Sequence, residues 1–224
     1  RASAFGALAS ATGAYSTAVG ENAAASNTNT TAVGHNALAS GTSSSAIGQG
    51  AQATAANATA VGQGARSLGT GSSAVGQNTL ANGNNNSVFG TNALAQSTTG
   101  TAINNAAVFG QNAQGNANST SAFGQNAKAI SAYASAFGQG SQAKNTNSTA
   151  IGRASVAGTT GSLGTILSGD TAVGAYANAT DPNVDKFFDI TSGTPCTTTG
   201  CGPSMKRGAS TAVGQFANAR DASV

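Results

Sequence analysis

Residues 17–20 read Thr-Ala-Val-Gly, and the same four residues return at 31–34 and at 59–62. Variants of this quartet recur along the whole chain. Their closing glycines are Gly6, Gly20, Gly34, Gly48, Gly62, Gly76, Gly90, Gly110, Gly124, Gly138, Gly152, Gly174 and Gly214. Nine of the twelve intervals between these glycines are 14 residues long, and the other three are longer. A fixed period of this kind predicts a repeat architecture in which each unit adds one equivalent layer.

Each unit contains two short segments with the alternation expected of β-strands. Besides the quartet, small residues stand three and five positions after the glycine, as at Ala23 and Ala25, and this spacing places both on one strand face. Gly, Asn, Ser and Thr supply the corners between the segments. A helix is disfavoured, because every unit contains a glycine and no apolar face keeps a helical period. The sequence therefore predicts an all-β fold, a parallel β-roll of about 13 coils that is roughly 60 Å long at about 4.8 Å per coil.

The quartets also place one large apolar residue in every coil. Its neighbour in the strand is Ala, so the two side chains point to opposite faces, and either of them can line the inside of the roll. One such residue per coil stabilises a single thin roll poorly, and an exposed apolar ridge calls for a partner. We therefore expect several copies to pack with this strand at the centre. The residues that form the core of the roll or of the assembly, called here the apolar row, are Val19, Val33, Ile47, Val61, Val75, Phe89, Phe109, Phe123, Phe137, Ile151, Val173 and Val213.

Composition argues against several classes of function. Charged residues make up 7% of the chain, the net charge is +3, and the basic residues form no stripe, so we expect no nucleic-acid binding. No apolar run is long enough for a membrane-spanning helix. His35 is the single histidine, and it has no sequence neighbours that suggest a catalytic group or a metal site. We expect no enzyme activity, no metal and no cofactor.

The three longer intervals predict insertions near 96–106, 156–168 and 181–208. Insertions in a solenoid form loops, often on a binding face. The third insertion contains the candidate ligand-contact residues Lys186, Phe187, Phe188, Lys206 and Arg207. In the alternative interpretation the two phenylalanines only cap the roll or pack against a neighbouring copy.

The period, the Ser/Thr-Ala-Val-Gly strands and the small-x-Ala segments resemble the YadA-like heads of trimeric autotransporter adhesins. The resemblance covers residues 1–224 outside the insertions. It implies a left-handed parallel β-roll, a homotrimer, and a place on the bacterial cell surface, anchored in the outer membrane through a C-terminal region outside this chain. It also implies self-association and attachment to host cells or to matrix proteins such as collagen, fibronectin or laminin, without catalysis. A trimeric phage-type or other fibre solenoid with a structural role is the alternative.

Cys196 and Cys201 are the two cysteines of the chain. Two nearby cysteines in a secreted protein favour a disulfide, so we expect a small disulfide loop within the third insertion.

Overall fold

In a computed structural model the chain winds into a parallel β-solenoid. The structure describes residues 1–158, 169–179, 187–189, 194–196 and 211–219. Each coil contributes one strand of three residues to a first sheet and one strand of two residues to a second sheet. Both sheets contain thirteen strands, and all of their pairings are parallel.

The strands of the first sheet are β1 (Ser3–Phe5), β3 (Thr17–Val19), β5 (Thr31–Val33), β7 (Ser45–Ile47), β9 (Thr59–Val61), β11 (Ser73–Val75), β13 (Ser87–Phe89), β15 (Ala107–Phe109), β17 (Ser121–Phe123), β19 (Ser135–Phe137), β21 (Thr149–Ile151), β23 (Thr171–Val173) and β27 (Thr211–Val213). Those of the second sheet are β2 (Ser10–Ala11), β4 (Ala24–Ala25), β6 (Leu38–Ala39), β8 (Gln52–Ala53), β10 (Arg66–Ser67), β12 (Leu80–Ala81), β14 (Leu94–Ala95), β16 (Gln114–Gly115), β18 (Lys128–Ala129), β20 (Gln142–Ala143), β22 (Val156–Ala157), β24 (Asn178–Ala179) and β28 (Asn218–Ala219). A separate antiparallel pair is formed by β25 (Phe187–Asp189) and β26 (Thr194–Cys196).

The register of the ladder follows the sequence period. Thr17 pairs with Thr31 and Ala18 with Ala32, which is a step of 14 residues. The register continues across the two longest intervals, since Thr171 pairs with Thr149 on one side and with Thr211 on the other. The predicted parallel β-solenoid with 14-residue repeats is therefore confirmed.

Alanine fills the narrow interior between the two sheets. In the coil that starts at Thr17, Ala18, Ala23 and Ala25 are all fully buried. The neighbouring Val19 is on the outer surface and is 37% exposed. Of the two placements that the sequence left open, the structure therefore has Ala inside and the apolar row outside.

The closing glycine of each quartet turns the chain where the backbone of the next coil lies very close. Gly48 has a φ of +131°, and a Cβ added to it would lie 2.5 Å from the carbonyl oxygen of Gly62 in the next coil. Two residues later, Gly50 adopts φ +66° in open space. In six other coils this second position is Asn, as at Asn22 and Asn36, both with left-handed φ. Glycine is therefore needed at the first position for space as well as for φ, whereas Asn suffices at the second.

In one coil a larger interior residue stands opposite a smaller one. Val108 replaces the usual inward Ala and is fully buried. Its coil has Gly115 where the other coils usually have Ala, and a Cβ on Gly115 would lie 2.9 Å from Cγ2 of Val108. The pair thus keeps the volume of the interior nearly constant, as close packing requires.

The first predicted insertion adds a short loop without interrupting the ladder. The Gln96 amide still donates to the Gly115 carbonyl, and the Ile103 amide donates to the Asn82 carbonyl. Residues 97–102 therefore form the added loop, and Ile103 returns to the interior with 3% of its surface exposed. At the second insertion Val156–Ala157 belong to the ladder, and residues 159–168 lie outside the described part of the chain.

Candidate interaction surfaces

The outward side of the first sheet, called here the first face, carries two parallel rows of side chains. One is the apolar row, and the other consists almost entirely of hydroxyl residues at the first strand position, such as Thr17, Thr31 and Ser45. The strands of this sheet contain no charged residue in the described part of the chain. The first face thus combines exposed apolar side chains with neutral hydroxyl groups, which are inexpensive to remove from water when hydrogen-bonded.

The middle of the apolar row is a stack of four phenylalanine rings. Ring centroids lie 4.9 Å apart for Phe89 and Phe109, 4.8 Å for Phe109 and Phe123, and 5.1 Å for Phe123 and Phe137. The rings are within 9° of parallel. Their separation is close to the ladder spacing of about 4.8 Å, because they occupy the same position in successive coils. Phe89 and Phe137 remain more than one third exposed. This stack is a rigid apolar ridge that has no cover within the described chain.

Amide side chains form ladders along the corner that follows the first sheet. Gln63 donates to Gln49, and Gln77 donates to Gln63, both at 2.9 Å. A second ladder joins Gln111, Gln125 and Gln139 at 2.8 Å per step. His35 takes the same corner position, is exposed, and lies against the Asn36 amide. The sequence did not predict the amide ladders.

A cation and two aromatic rings share this corner further along the rod. The guanidinium of Arg153 lies 4.8 Å from the centroid of the Tyr176 ring, and Tyr176 stacks on Phe216 with centroids 5.2 Å apart. Both rings occupy left-handed corner positions that hold Asn or Gly in most other coils. The departure from the repeat consensus is the feature of the sequence that could have revealed this cluster.

The outward side of the second sheet, called here the second face, is more varied and carries positive charge. Arg66 and Lys128 occupy the same outward position on β10 and β18. Between β10 and β14 a groove of about 340 Å³ is lined by Gly64, Arg66, Asn78, Thr79, Leu80, Asn92, Ala93 and Leu94. The groove was not predicted from the sequence, although Arg66 is the one charged residue of its coil.

The candidate residues of the third insertion fall mostly outside the described chain. Lys186, Lys206 and Arg207 lie there, as does Cys201. Phe187 and Phe188 belong to β25, and Phe187 pairs with Cys196 of β26. The disulfide between Cys196 and Cys201 stays a prediction. So does the ligand-contact role of the two phenylalanines, the two lysines and the arginine.

Among the described residues there is no group of three or more His, Cys, Asp or Glu that could hold a metal ion. Nor does this part of the chain contain a helix that is long and apolar enough to cross a membrane.

The repeats match the model of a known protein family. The model of the YadA head domain repeat (2 copies) matches residues 1–23, 11–37, 39–65, 116–141, 129–155 and 143–163. These segments together cover half of the chain. The chain belongs to the YadA head domain family. The resemblance found in the sequence is thus confirmed, and membership of the YadA head family supports an adhesin-type role at a bacterial surface.

For this YadA-type head, curated sequences and solved structures give different results. No curated protein sequence matches it significantly. A similar solved structure is the crystal structure of the collagen-binding domain of the Yersinia adhesin YadA, with 24% sequence identity and a TM-score of 0.40. The alignment covers 63% of this chain and 63% of that domain, so the chain spans less than two thirds of its length.

Proposed function

We propose that this chain is the head of a bacterial surface adhesin that works as a homotrimer and attaches to host cells or to matrix proteins such as collagen, fibronectin or laminin. The family match is the observation that carries the proposal. No catalytic step is part of it. Anchoring in the outer membrane through a further C-terminal region and contact between heads on neighbouring cells complete the proposal.

The first face supports the assembly of three copies. Its apolar row lies on the surface, with Ile47 and Ile151 each 41% exposed. Because the first-sheet strands of the described coils have no charged residue, a second copy can cover this face without burying an unpaired charge. The coils repeat about every 4.8 Å along the rod, which is the strand spacing, and each adds an equivalent contact between copies. The buried apolar area therefore grows with the length of the rod.

The second face and the corners then remain available to partners. They present amide ladders, hydroxyl groups and a few cations instead of a deep pocket. Such a surface suits many shallow contacts, and three copies of it raise the effective affinity for a repetitive ligand. Fibrous matrix proteins present repeated surfaces of this kind.

The test is a solid-phase binding assay of the purified chain on collagen, fibronectin and laminin, with serum albumin as the negative surface. We expect saturable binding to at least one matrix protein. Binding should weaken when the assembly is broken by Val61→Asp, because three-fold avidity is then lost. A chain that binds none of the three proteins, no host cell and no second head would contradict the proposal.

A further inference from the structure

We propose that the groove on the second face binds a polyproline II peptide segment that carries a carboxylate and, three residues further on, an apolar side chain. The inference rests on the proposed adhesive function and assigns it a specific contact site. The groove lies between Arg66 on β10 and Leu94 on β14, with Leu80 on β12 between them. These three residues pair directly across the ladder, so their side chains follow one line along the rod.

The charge at one end of the line fixes the chemistry of the ligand there. Arg66 is exposed, and no acidic residue lines the groove. A guanidinium presents several N–H donors in a planar fork, which matches a carboxylate group. The ligand therefore places its carboxylate against Arg66.

The rest of the groove is apolar with polar margins. Leu80 and Leu94 are half-buried and form the floor beyond Arg66. Asn78 and Asn92 stand exposed along the corner side, where their amides can bond to a peptide backbone. An apolar side chain or proline ring of the ligand fits this floor. The backbone carbonyls of the ligand then face the two amides.

Opening of the groove depends on Gly64. The same corner position is Asn78 in the next coil and Asn92 in the one after. At Gly64 an added Cβ would lie 2.6 Å from Oδ1 of Asn78, so an asparagine here would fill the space beside Arg66. The missing side chain thus gives the ligand access to the guanidinium.

The ladder spacing selects the conformation of the ligand. Arg66 and Leu94 are two strands apart, which is about 9.6 Å. In polyproline II, residues three apart lie on the same side of the chain and about 9.3 Å apart. In an extended strand, residues three apart point to opposite faces, and residues two apart are only about 6.7 Å apart. Polyproline II is therefore the backbone whose repeat agrees with two coils of the roll.

The proposed assembly leaves this groove open. The strands that line it belong to the second sheet, whereas the first face packs at the centre of the trimer. A trimer then offers three equivalent grooves, which suits a ligand that repeats the same acidic and apolar pair.

The probe is the synthetic peptide Ac-Pro-Pro-Glu-Pro-Pro-Leu-Pro-Pro-amide, flowed over the immobilised full chain in a surface plasmon resonance experiment. Two variants test the site. Arg66→Gln removes the charge, and Gln already stands in the same row at Gln52 and Gln142, so the ladder tolerates it. Gly64→Asn fills the groove at a φ of +66° that asparagine adopts elsewhere in the corner.

Each variant has a matched control. Lys128→Gln removes one positive charge from the same row outside the groove. Gly140→Asn changes a corner glycine with φ +68°, where an added Cβ would have no atom of the rest of the chain within 4 Å. We expect Arg66→Gln and Gly64→Asn each to raise the Kd about fivefold or more, and both controls to leave it unchanged. We also expect a peptide with Glu and Leu two residues apart to bind more weakly than the probe.

Three results would overturn the proposal: no saturable binding of the probe, an equal loss with Lys128→Gln, or equal binding of the peptide with the shorter spacing. The proposed function fails separately. A head that binds the probe but no matrix protein, cell or second head keeps the groove and loses the adhesive role. A head that adheres to a matrix protein but does not bind the probe keeps the adhesive role and loses the groove.

Discussion

Replacing Gly48 with alanine should destabilise the solenoid far more than the same change at Gly50, two residues away in the same corner. The Cβ added at Gly48 would lie 2.5 Å from the Gly62 carbonyl oxygen and 2.6 Å from its carbonyl carbon. These are backbone atoms, and the Gly62 amide is bonded to the Ile47 carbonyl at 2.8 Å. The neighbouring coil therefore cannot move away without weakening the ladder.

The size of the effect follows from three contributions. An alanine at φ +131° is strained by about 1–3 kcal/mol, overpacking costs about 1–3 kcal/mol, and a weakened ladder hydrogen bond costs up to about 1 kcal/mol. Gly48→Ala should thus lower the free energy of unfolding by about 2–7 kcal/mol. A Cβ added at Gly50 would have no atom of the rest of the chain within 4 Å. Its only cost is left-handed strain of about 1–2 kcal/mol, partly offset by about 0.4–1 kcal/mol of reduced chain entropy in the unfolded state.

The assay is urea denaturation followed by circular dichroism at 218 nm, with both variants at equal protein concentration. Because coils of a solenoid are stabilised mainly by their neighbours, a weak coil inside the rod lowers the stability of the ladder on both sides. Variants that differ by less than about 1 kcal/mol would refute the close approach of the coils at the quartet glycine.

Three further predictions test the interior and the two faces. Gly115→Ala should cost about 1–3 kcal/mol, because the added Cβ would lie 2.6 Å from Thr120 Oγ1 and 2.9 Å from Val108 Cγ2; adding Val108→Ala should recover part of it, as a double-mutant cycle in urea would show. Phe109→Ala removes the contacts of one ring with two others and should cost about 1–3 kcal/mol. The stack would be contradicted if this variant lowered the unfolding midpoint less than an alanine substitution at an exposed position outside the stack. Val61→Asp should dissociate the assembly, measured as a fall in mass by light scattering, whereas Gln52→Asp on the second face should not change the mass.

The sequence predicted the ladder because its constraints repeat. A glycine is required at the corner that closes each quartet, so its position marks every coil, and the small residues at Ala23 and Ala25 mark the inner face of the second sheet. Alternation alone could not decide whether Ala18 or Val19 points inward, since it defines two faces without ranking them. The narrowness of the interior decides it, as the pairing of Val108 with Gly115 illustrates.

Features that belong to single coils were harder to predict. Ile103 lies in a range expected to be an insertion, and its inward position depends on a hydrogen bond to Asn82 in the preceding coil. The groove arises where Gly64 and Arg66 coincide with two leucines in the next coils. Each residue is ordinary within its own repeat, and only the ladder brings them together.

The solution mass of the chain, measured by multi-angle light scattering over a range of concentrations, tests the central claim most directly. The apolar row on the first face should be covered by two further copies, so we predict a species of three times the 21.3 kDa chain mass. A chain that stays at 21.3 kDa at the highest concentration, with the apolar row in water, would contradict the account.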